Sequence, residues 1–87
     1  MSDQLDVRRR RASFRATHRG TKEMDWLLGR YAEAMLKTMA AADLDVFEKL
    51  IQVPDPELQT WILDPTTLEQ IEFAPHVNAM RTFHKLA

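Results

Sequence analysis

The sequence contains no cysteine and only two glycines among its 87 residues. The missing cysteine excludes disulfides, thiolate catalysis and cysteine-based zinc sites. The phosphate-cradling motifs GxxxxGK[ST] and GxGxxG are both absent. No stretch approaches the roughly 18 consecutive apolar residues of a membrane-spanning helix, and the N-terminus has no secretory signal pattern. We therefore expect a bacterial cytoplasmic protein without a membrane span.

An excess of positive charge is also absent. Lys and Arg total 12 against 13 Asp and Glu, a net charge of −1, which argues against a constitutive nucleic-acid binder. The charges are distributed unevenly: residues 1–30 hold eight basic against four acidic residues, and residues 31–87 hold four against nine. The run Arg8 to Arg11, followed by Arg15, has three interpretations: a solvated helix face, a contact with a phosphate, cofactor or acidic protein, or a DNA-reading helix-turn-helix.

Length and composition predict a single helical domain over residues 1–87. With 45% hydrophobic and 29% charged residues, the chain has the composition of a folded globular protein. The apolar spacing is helical nearly everywhere, and the hairpin signals Asn-Gly and Asp-Gly do not occur. We predict an all-α fold, a small single-domain five-helix bundle.

The first two predicted helices flank a glycine. The first runs from about Asp3 to Thr17, and Gly20 follows its end, where a left-handed backbone costs little only for glycine. Thr21 or Gly20 caps the second helix, and Gly29 within it indicates close packing against a neighbouring helix. The buried stripe of the second helix is predicted to comprise Met24, Leu27, Leu28, Tyr31, Met35 and Met39.

The remaining helices are placed by prolines and by capping signals. Asp45 and Glu48 resemble a capping box at the start of the third helix. Asp55 is the predicted cap of the fourth, Thr66 starts one further turn, and Pro75 opens the fifth. The apolar faces of the last two helices are predicted to be Leu58, Trp61 and Ile62, and then Val77, Met80, Phe83 and Leu86.

No catalytic or metal-binding constellation is found in the sequence. His76 and His84 would lie about 12 Å apart along one helix, too far for one metal ion, and no HExxH pattern exists. We expect all three histidines, including His18, to be surface or partly buried residues without function. The serines, Ser2 and Ser13, lie outside any GxSxG elbow. The sequence therefore predicts a protein that is not an enzyme, with no catalytic residue and no metal.

The most informative segment joins the first two helices. It reads Arg19-Gly20-Thr21-Lys22-Glu23 and is followed by Asp25. One interpretation is purely structural: Gly20 makes the turn, while Arg19 and Glu23 form a surface ion pair worth about 0 to 1 kcal/mol.

The same segment resembles the RGxxE motif of the SdhE-type FAD assembly factors, also called succinate dehydrogenase assembly factor 2. Downstream, Asp55-Pro56-Glu57-Leu58 with Trp61 resembles the fourth-helix segment of that family. The chain length, the arginine-rich first helix and the lead-in residue His18 match as well. The sequence departs from the family at Thr17, where relatives often carry an aromatic residue, and at Trp26, where an aliphatic residue is common.

The resemblance implies an assembly factor rather than an enzyme. Such proteins bind the flavoprotein subunit of succinate dehydrogenase, and in bacteria also that of fumarate reductase. They promote covalent attachment of FAD to a histidine of this client, and hold no FAD tightly themselves. The residues implied to contact the client near its flavin site are Arg19, Gly20, Glu23 and Asp25: the arginine and Glu23 supply charged hydrogen bonds, and the glycine allows a close approach of the backbone.

The arginine run keeps a second hypothesis open, a small arginine-rich helical nucleic-acid-binding or regulatory protein. On the first hypothesis, which includes no nucleic-acid partner, Arg8 to Arg11 and Arg15 extend the client contact along the first helix. Salt dependence separates the two. Affinity for DNA falls steeply with salt because phosphate contacts release counterions, whereas a protein complex with an apolar centre loses less.

Overall fold

The computed structural model describes residues 2–86 and shows five α-helices joined by short turns. The helices are α1 (Ser2–Thr17), α2 (Lys22–Met35), α3 (Ala41–Leu50), α4 (Asp55–Leu63) and α5 (Ala74–Phe83). Short 3₁₀ turns span Leu36–Thr38, Pro65–Thr67 and Ile71–Phe73. Residues 2–86 contain no β-strand, so the predicted all-α five-helix bundle is confirmed. No helix within this range has the length and apolar character needed to cross a membrane.

One apolar core joins the five helices. Its fully buried side chains include Met24 and Leu28 from α2, Leu44, Phe47 and Leu50 from α3, Leu58 and Ile62 from α4, and Val77 and Met80 from α5. From α1, the buried residues are the small Ala12 and Ala16. These small side chains let α1 lie close to α2, where a Cβ added at Gly29 would stand 3.0 Å from Cγ2 of Thr17. The close packing predicted at this glycine is confirmed.

The predicted capping box of the third helix is wrong. The helix begins at Ala41, with Ala40 in the cap position, so Asp45 and Glu48 lie within it. Both carboxylates instead bind Arg8 of α1. The arginine donates from Nε to one Glu48 oxygen at 3.2 Å and from Nη2 to the other at 2.6 Å, and Nη2 also donates to Asp45. The two acidic residues therefore tie α3 to α1 rather than capping their own helix.

Three further predicted boundaries are displaced. Pro54 occupies the cap position of α4, and Asp55 is its first helical residue, so the aspartate is not a cap. Pro54 itself supplies the extended backbone that precedes the helix. The turn predicted to start at Thr66 is a 3₁₀ turn that begins one residue earlier, with Asp64 accepting a hydrogen bond from the Thr66 N–H at 3.2 Å. The last helix likewise begins one residue before Pro75.

The apolar stripes also differ from prediction at the helix ends. α2 ends at Met35, whose side chain is exposed, and the chain then turns so that Leu36 and Met39 point into the core. At the other end of the chain, Phe83 and Leu86 are exposed rather than buried. The helical period therefore does not predict burial at the last residue of α2 or of α5, nor beyond these helices.

One histidine lies deeper than expected. His76 is buried, and its Nε2–H donates to the carbonyl oxygen of Asp43 at 3.1 Å. In the neutral ring, Nδ1 then accepts from the hydroxyl of Tyr31, 3.2 Å away. Burial raises the pKa of Tyr31, and the charge of Asp43 raises it further. This hydrogen-bonded pair is part of the aromatic centre of the bundle, beside Phe47.

Candidate functional site

The candidate motif forms the tight turn between α1 and α2. Gly20 lies at its centre with φ of +111°, a backbone conformation that residues with a side chain rarely adopt. The left-handed glycine predicted after the first helix is confirmed. A Cβ built at this position meets no atom within 4 Å. The glycine therefore serves the backbone angle of the turn, and the surface beside it is open to a partner.

The first residue of the motif points into the protein. The Arg19 side chain is only 10% exposed, and its Nε donates to Oδ1 of Asp55 at 2.8 Å. Nη2 donates to the carbonyl oxygen of Val53 at 2.9 Å, and Nη1 donates to the carbonyl of Ile51. Because these groups lie at the end of α3 and the start of α4, one guanidinium ties the motif turn to two other helices. The surface pair between Arg19 and Glu23, the structural interpretation considered above, is wrong.

The turn is held from the α2 side as well. Asp25 is half-buried, and its carboxylate accepts a hydrogen bond from the backbone N–H of Arg19. The N–H of Asp25 in turn donates to the carbonyl of Thr21 at 2.9 Å. The Thr21 hydroxyl accepts from the N–H of Met24 at 3.2 Å, which confirms the predicted cap of α2. Side chains on both sides of the glycine therefore fix its position.

The last residue of the motif points outward. Glu23 is exposed in the first turn of α2, where a carboxylate is favoured by the helix dipole. Its Oε2 accepts a hydrogen bond from Nε2 of Gln59 on α4 at 2.9 Å. The second oxygen has no hydrogen-bond partner among the described residues. This carboxylate is thus oriented by α4 and can accept hydrogen bonds from another molecule.

The structure therefore brings the predicted residues into one turn but gives them different surroundings. Asp55 and Gln59 join them, and neither was recognised as part of the site from the sequence. Asp55 belongs to the Asp-Pro-Glu-Leu segment that carried the family resemblance, so a signal was present although it was interpreted as a cap. No sequence signal marks Gln59, because its contact with Glu23 spans 36 residues.

A large aromatic side chain lies beside the motif. Trp26 is 50% exposed and follows Glu23 by three residues, nearly one turn of α2. Its ring packs against the imidazole of His84, with centroids 4.2 Å apart. The Nε2–H of His84 donates to the carbonyl of Leu27 at 2.8 Å, which holds the imidazole in place. Aromatic side chains are enriched in protein interfaces, so the exposed ring of Trp26 is a candidate contact residue beside the motif.

Neither the motif nor the rest of residues 2–86 contains a cluster of three or more His, Asp or Glu side chains that could hold a metal ion. What the motif offers chemically is an outward carboxylate, an open glycine backbone and a rigid support. These features suit hydrogen bonding to a partner at a defined position.

The chain is similar to known proteins over most of its length. Residues 10–84 match the protein family described as "Flavinator of succinate dehydrogenase", a range that includes the whole motif, Asp55 and Gln59. The FAD assembly factor SdhE of Acetobacter pasteurianus is 42% identical over 78 residues, which cover 90% of this chain and 72% of that protein. The FAD assembly factor SdhE of Coxiella burnetii is 36% identical over 55 residues, covering 63% and 67%.

A mitochondrial protein is also similar. Succinate dehydrogenase assembly factor 2 of Lodderomyces elongisporus is 37% identical over 57 residues, covering 66% of this chain but only 35% of the longer mitochondrial protein. No solved structure shows significant similarity to the chain. The family match over residues 10–84 and the identity with the Acetobacter factor lead to one conclusion: this chain belongs to the family of succinate dehydrogenase flavinators.

Proposed function

We propose that this protein is an assembly factor that binds the flavoprotein subunit of succinate dehydrogenase and promotes covalent attachment of FAD to a histidine of that client. The observation that carries the proposal is the family match over residues 10–84, and we assign the contact with the client to the RGxxE turn. Glu23 is exposed and oriented by Gln59, while the backbone at Gly20 is open. Both lie on a turn fixed by Arg19 and Asp25.

The proposal assigns different roles to the motif residues. Glu23 accepts hydrogen bonds from the client near its flavin site, and the open backbone at Gly20 allows the client to approach closely. Asp25 holds the turn through the N–H of Arg19. Arg19 is a positioning residue, because its guanidinium is already bound to Asp55 and to backbone carbonyls. The arginine of the motif therefore has a structural role in this proposal: it connects three helices and does not contact the client.

The chemistry itself belongs to the client in this proposal. The 8α-methyl group of FAD loses a proton and its carbon bonds to a nitrogen of the client histidine, which leaves the flavin reduced by two electrons until an electron acceptor such as dioxygen reoxidises it. The assembly factor favours this step by holding the client in a suitable conformation. The factor is accordingly not an enzyme, has no metal, and binds no FAD tightly. We extend the proposal to the flavoprotein subunit of fumarate reductase as a second client. We also place the protein in the bacterial cytoplasm, since the two relatives matched over about two thirds or more of their own length are bacterial.

The test mixes the apo flavoprotein subunit with FAD, with and without this protein. Covalent flavin is measured by in-gel fluorescence after denaturation. We expect the protein to raise the amount of covalent flavin, and Glu23→Ala to remove that gain. Glu33→Ala is the matched control, because Glu33 is an exposed glutamate on another side of the same helix. It should act like the wild type.

Two results would contradict the proposal. One is no gain in covalent flavin and no complex with the client, which would leave the motif as a helix junction only. The other is an equal loss with Glu23→Ala and Glu33→Ala, which would attribute the effect to overall charge instead of the motif. Repeating the assay with the fumarate reductase subunit tests the second client separately.

A further inference from the structure

The outward side of α1 is not used by the fold. It consists of Val7, Arg11, Phe14, Arg15 and His18, which we call the outer face of α1. All five side chains are exposed. Their spacing places them on one side of the helix, away from the buried Ala12 and Ala16, along about 16 Å of its axis. This surface is available for a partner.

The arginines of α1 divide between the two sides of the helix. Arg8 binds two carboxylates of α3, and Arg9 donates from Nη2 to the carbonyl oxygen of Met39 at 2.8 Å. Arg11 and Arg15 make no hydrogen bond or ion pair with any residue in the described range 2–86. Two of the five arginines of α1 therefore stabilise the fold, whereas Arg11 and Arg15, and also the exposed Arg10, have no such partner in that range and remain available to another molecule.

The charge on the outer face is not neutralised by its own helix. No acidic residue occurs anywhere in residues 7–19, which contain six arginines. Two of the outward positions, Arg11 and Arg15, are four residues apart, so both guanidinium groups lie on the same side. Their planar forks match carboxylates in a bidentate geometry.

An exposed aromatic ring lies between these cations. The Phe14 side chain is 62% exposed, and its ring stacks on that of His18 with centroids 4.0 Å apart and planes 19° from parallel. The Nδ1–H of His18 donates to the carbonyl oxygen of Phe14 at 2.8 Å, which fixes the imidazole against the helix. Aromatic and arginine side chains are the residues that protein interfaces favour.

The rest of the molecule favours an acidic protein over a nucleic acid as the partner. Residues 31–87 carry a net charge of −5, with four basic against nine acidic residues, so most of the surface repels a phosphate backbone. An acidic protein surface needs to meet only the outer face of α1, where its carboxylates pair with arginines around the apolar ring.

We propose that the outer face of α1 docks against a patch of carboxylates on the client flavoprotein, as a second contact region next to the RGxxE turn. The inference rests on the proposed function, since it takes the client from there. The face ends at the exposed His18, two residues before the exposed Gly20 of the motif, so one client surface can cover both. The second region adds affinity and steers association, while the motif acts at the flavin site.

The test measures the affinity of the apo flavoprotein subunit for the full chain by titration calorimetry at low and moderate salt. The double variant Arg11→Glu/Arg15→Glu should weaken binding by about tenfold or more at low salt, and by less when salt screens the charges. Lys37→Glu/Lys49→Glu is the control, because it reverses two exposed charges elsewhere on the molecule. Phe14→Ala is a second variant that removes the ring without altering charge, and it should also weaken binding. Circular dichroism checks that every variant is folded.

The outcomes separate this inference from the proposed function. Wild-type affinity in both Arg11→Glu/Arg15→Glu and Phe14→Ala, together with weakened binding by Glu23→Ala, overturns the inference and leaves the proposed function standing. No binding by the wild type overturns both. An equal loss with the lysine control also overturns the inference, since net charge alone would explain it. So does tight, steeply salt-dependent binding of a 20-base-pair DNA that only the arginine variant loses.

Discussion

The arginines that point into the molecule and those that point out of it come from the same stretch of sequence but have different surroundings. Arg8 and Arg19 each bind carboxylates on other helices, and Arg19 also binds two backbone carbonyls. Arg11 and Arg15 bind nothing within the described chain. The direction in which each side chain points, rather than its place in a basic stretch of sequence, therefore separates structural arginines from candidate contact residues.

The RGxxE motif shows the same division within five residues. Its arginine is nearly buried and holds the start of α4, whereas its glutamate is exposed and held by Gln59 of α4. Arg19 thus fixes α4, and α4 orients Glu23 through Gln59. Variants of the inward groups should consequently change stability, and variants of the outward groups should change client binding or flavin attachment.

The largest expected effect on stability is at Arg19. Replacement by Ala leaves Asp55 and two carbonyls without their donor, and we expect the free energy of unfolding to fall by about 2 to 4 kcal/mol. Arg30→Ala, which removes an exposed arginine of α2, should change it by less than about 0.5 kcal/mol. Urea unfolding followed by circular dichroism measures both. Equal values for the two variants would break the distinction between inward and outward arginines.

The next largest effect on stability is expected at Tyr31, whose side chain is buried. Tyr31→Phe leaves Nδ1 of His76 without a donor, and we expect a loss of about 1 to 2 kcal/mol in the free energy of unfolding. Differential scanning calorimetry at neutral pH, compared with the wild type, measures it. An unchanged stability would show that the hydrogen bond between Tyr31 and His76 does not support the core.

Tyr31 also predicts a pH dependence. Its pKa is raised in the folded protein, so the unfolded chain loses the phenol proton first. The stability contribution is complete below pH ~10, the usual value for tyrosine, and is lost as the pH rises through the folded pKa. The chain has one tyrosine, so absorbance at alkaline pH reports this group alone. If the phenol titrated at its usual value in the folded protein, or if Tyr31→Phe lost the same stability at alkaline pH as the wild type, the account of this group would be wrong.

A smaller effect on stability is expected at Gln59 of α4, whose amide orients the exposed carboxylate of Glu23. Gln59→Ala should change the free energy of unfolding by less than about 0.5 kcal/mol. The amount of factor needed for half-maximal flavin attachment should rise about two- to fivefold, because Glu23 loses the hydrogen bond that orients it. Gln70→Ala serves as the control, since Gln70 is an exposed glutamine in a loop. A requirement for factor that is unchanged by Gln59→Ala would remove α4 from the site.

The smallest effect on stability is expected at the outward arginines. Arg11→Ala and Arg15→Ala should each leave the free energy of unfolding within about 0.5 kcal/mol of the wild-type value. Urea unfolding is again the measurement. A loss comparable with that of Arg19→Ala would show that these residues have partners in the folded protein, and the outer face of α1 would then be structural.

Much of the fold follows from local sequence. Helical spacing predicts α2 and its buried stripe as far as Tyr31, because each buried residue is set by the residues three and four positions away. Gly20 marks the turn between α1 and α2 because the required φ suits glycine. The motif residues come together for a similar reason: they are neighbours along the chain, so one turn is enough to assemble them.

The contacts that were missed join distant segments. The carboxylates of Asp45 and Asp55 lie near helix starts, where a capping role and a distant ion pair give the same local pattern. Their arginine partners are 37 and 36 residues away, and local rules carry no information over that separation. A signal for Arg8 did exist: it lies four and eight residues before the buried Ala12 and Ala16, so the helical period places it close to their side of α1.

The central claim is that Glu23 is the residue of the motif that contacts the client, whereas the inward-pointing Arg19 and Asp25 stabilise the fold. The most direct test measures the free energy of unfolding of Glu23→Ala, and the covalent flavin that it produces on the apo flavoprotein subunit, in the same preparation. We predict an unfolding free energy within about 0.5 kcal/mol of the wild type and loss of the gain in covalent flavin. A variant that keeps the full gain, or one that loses stability and flavin attachment together, would contradict the account.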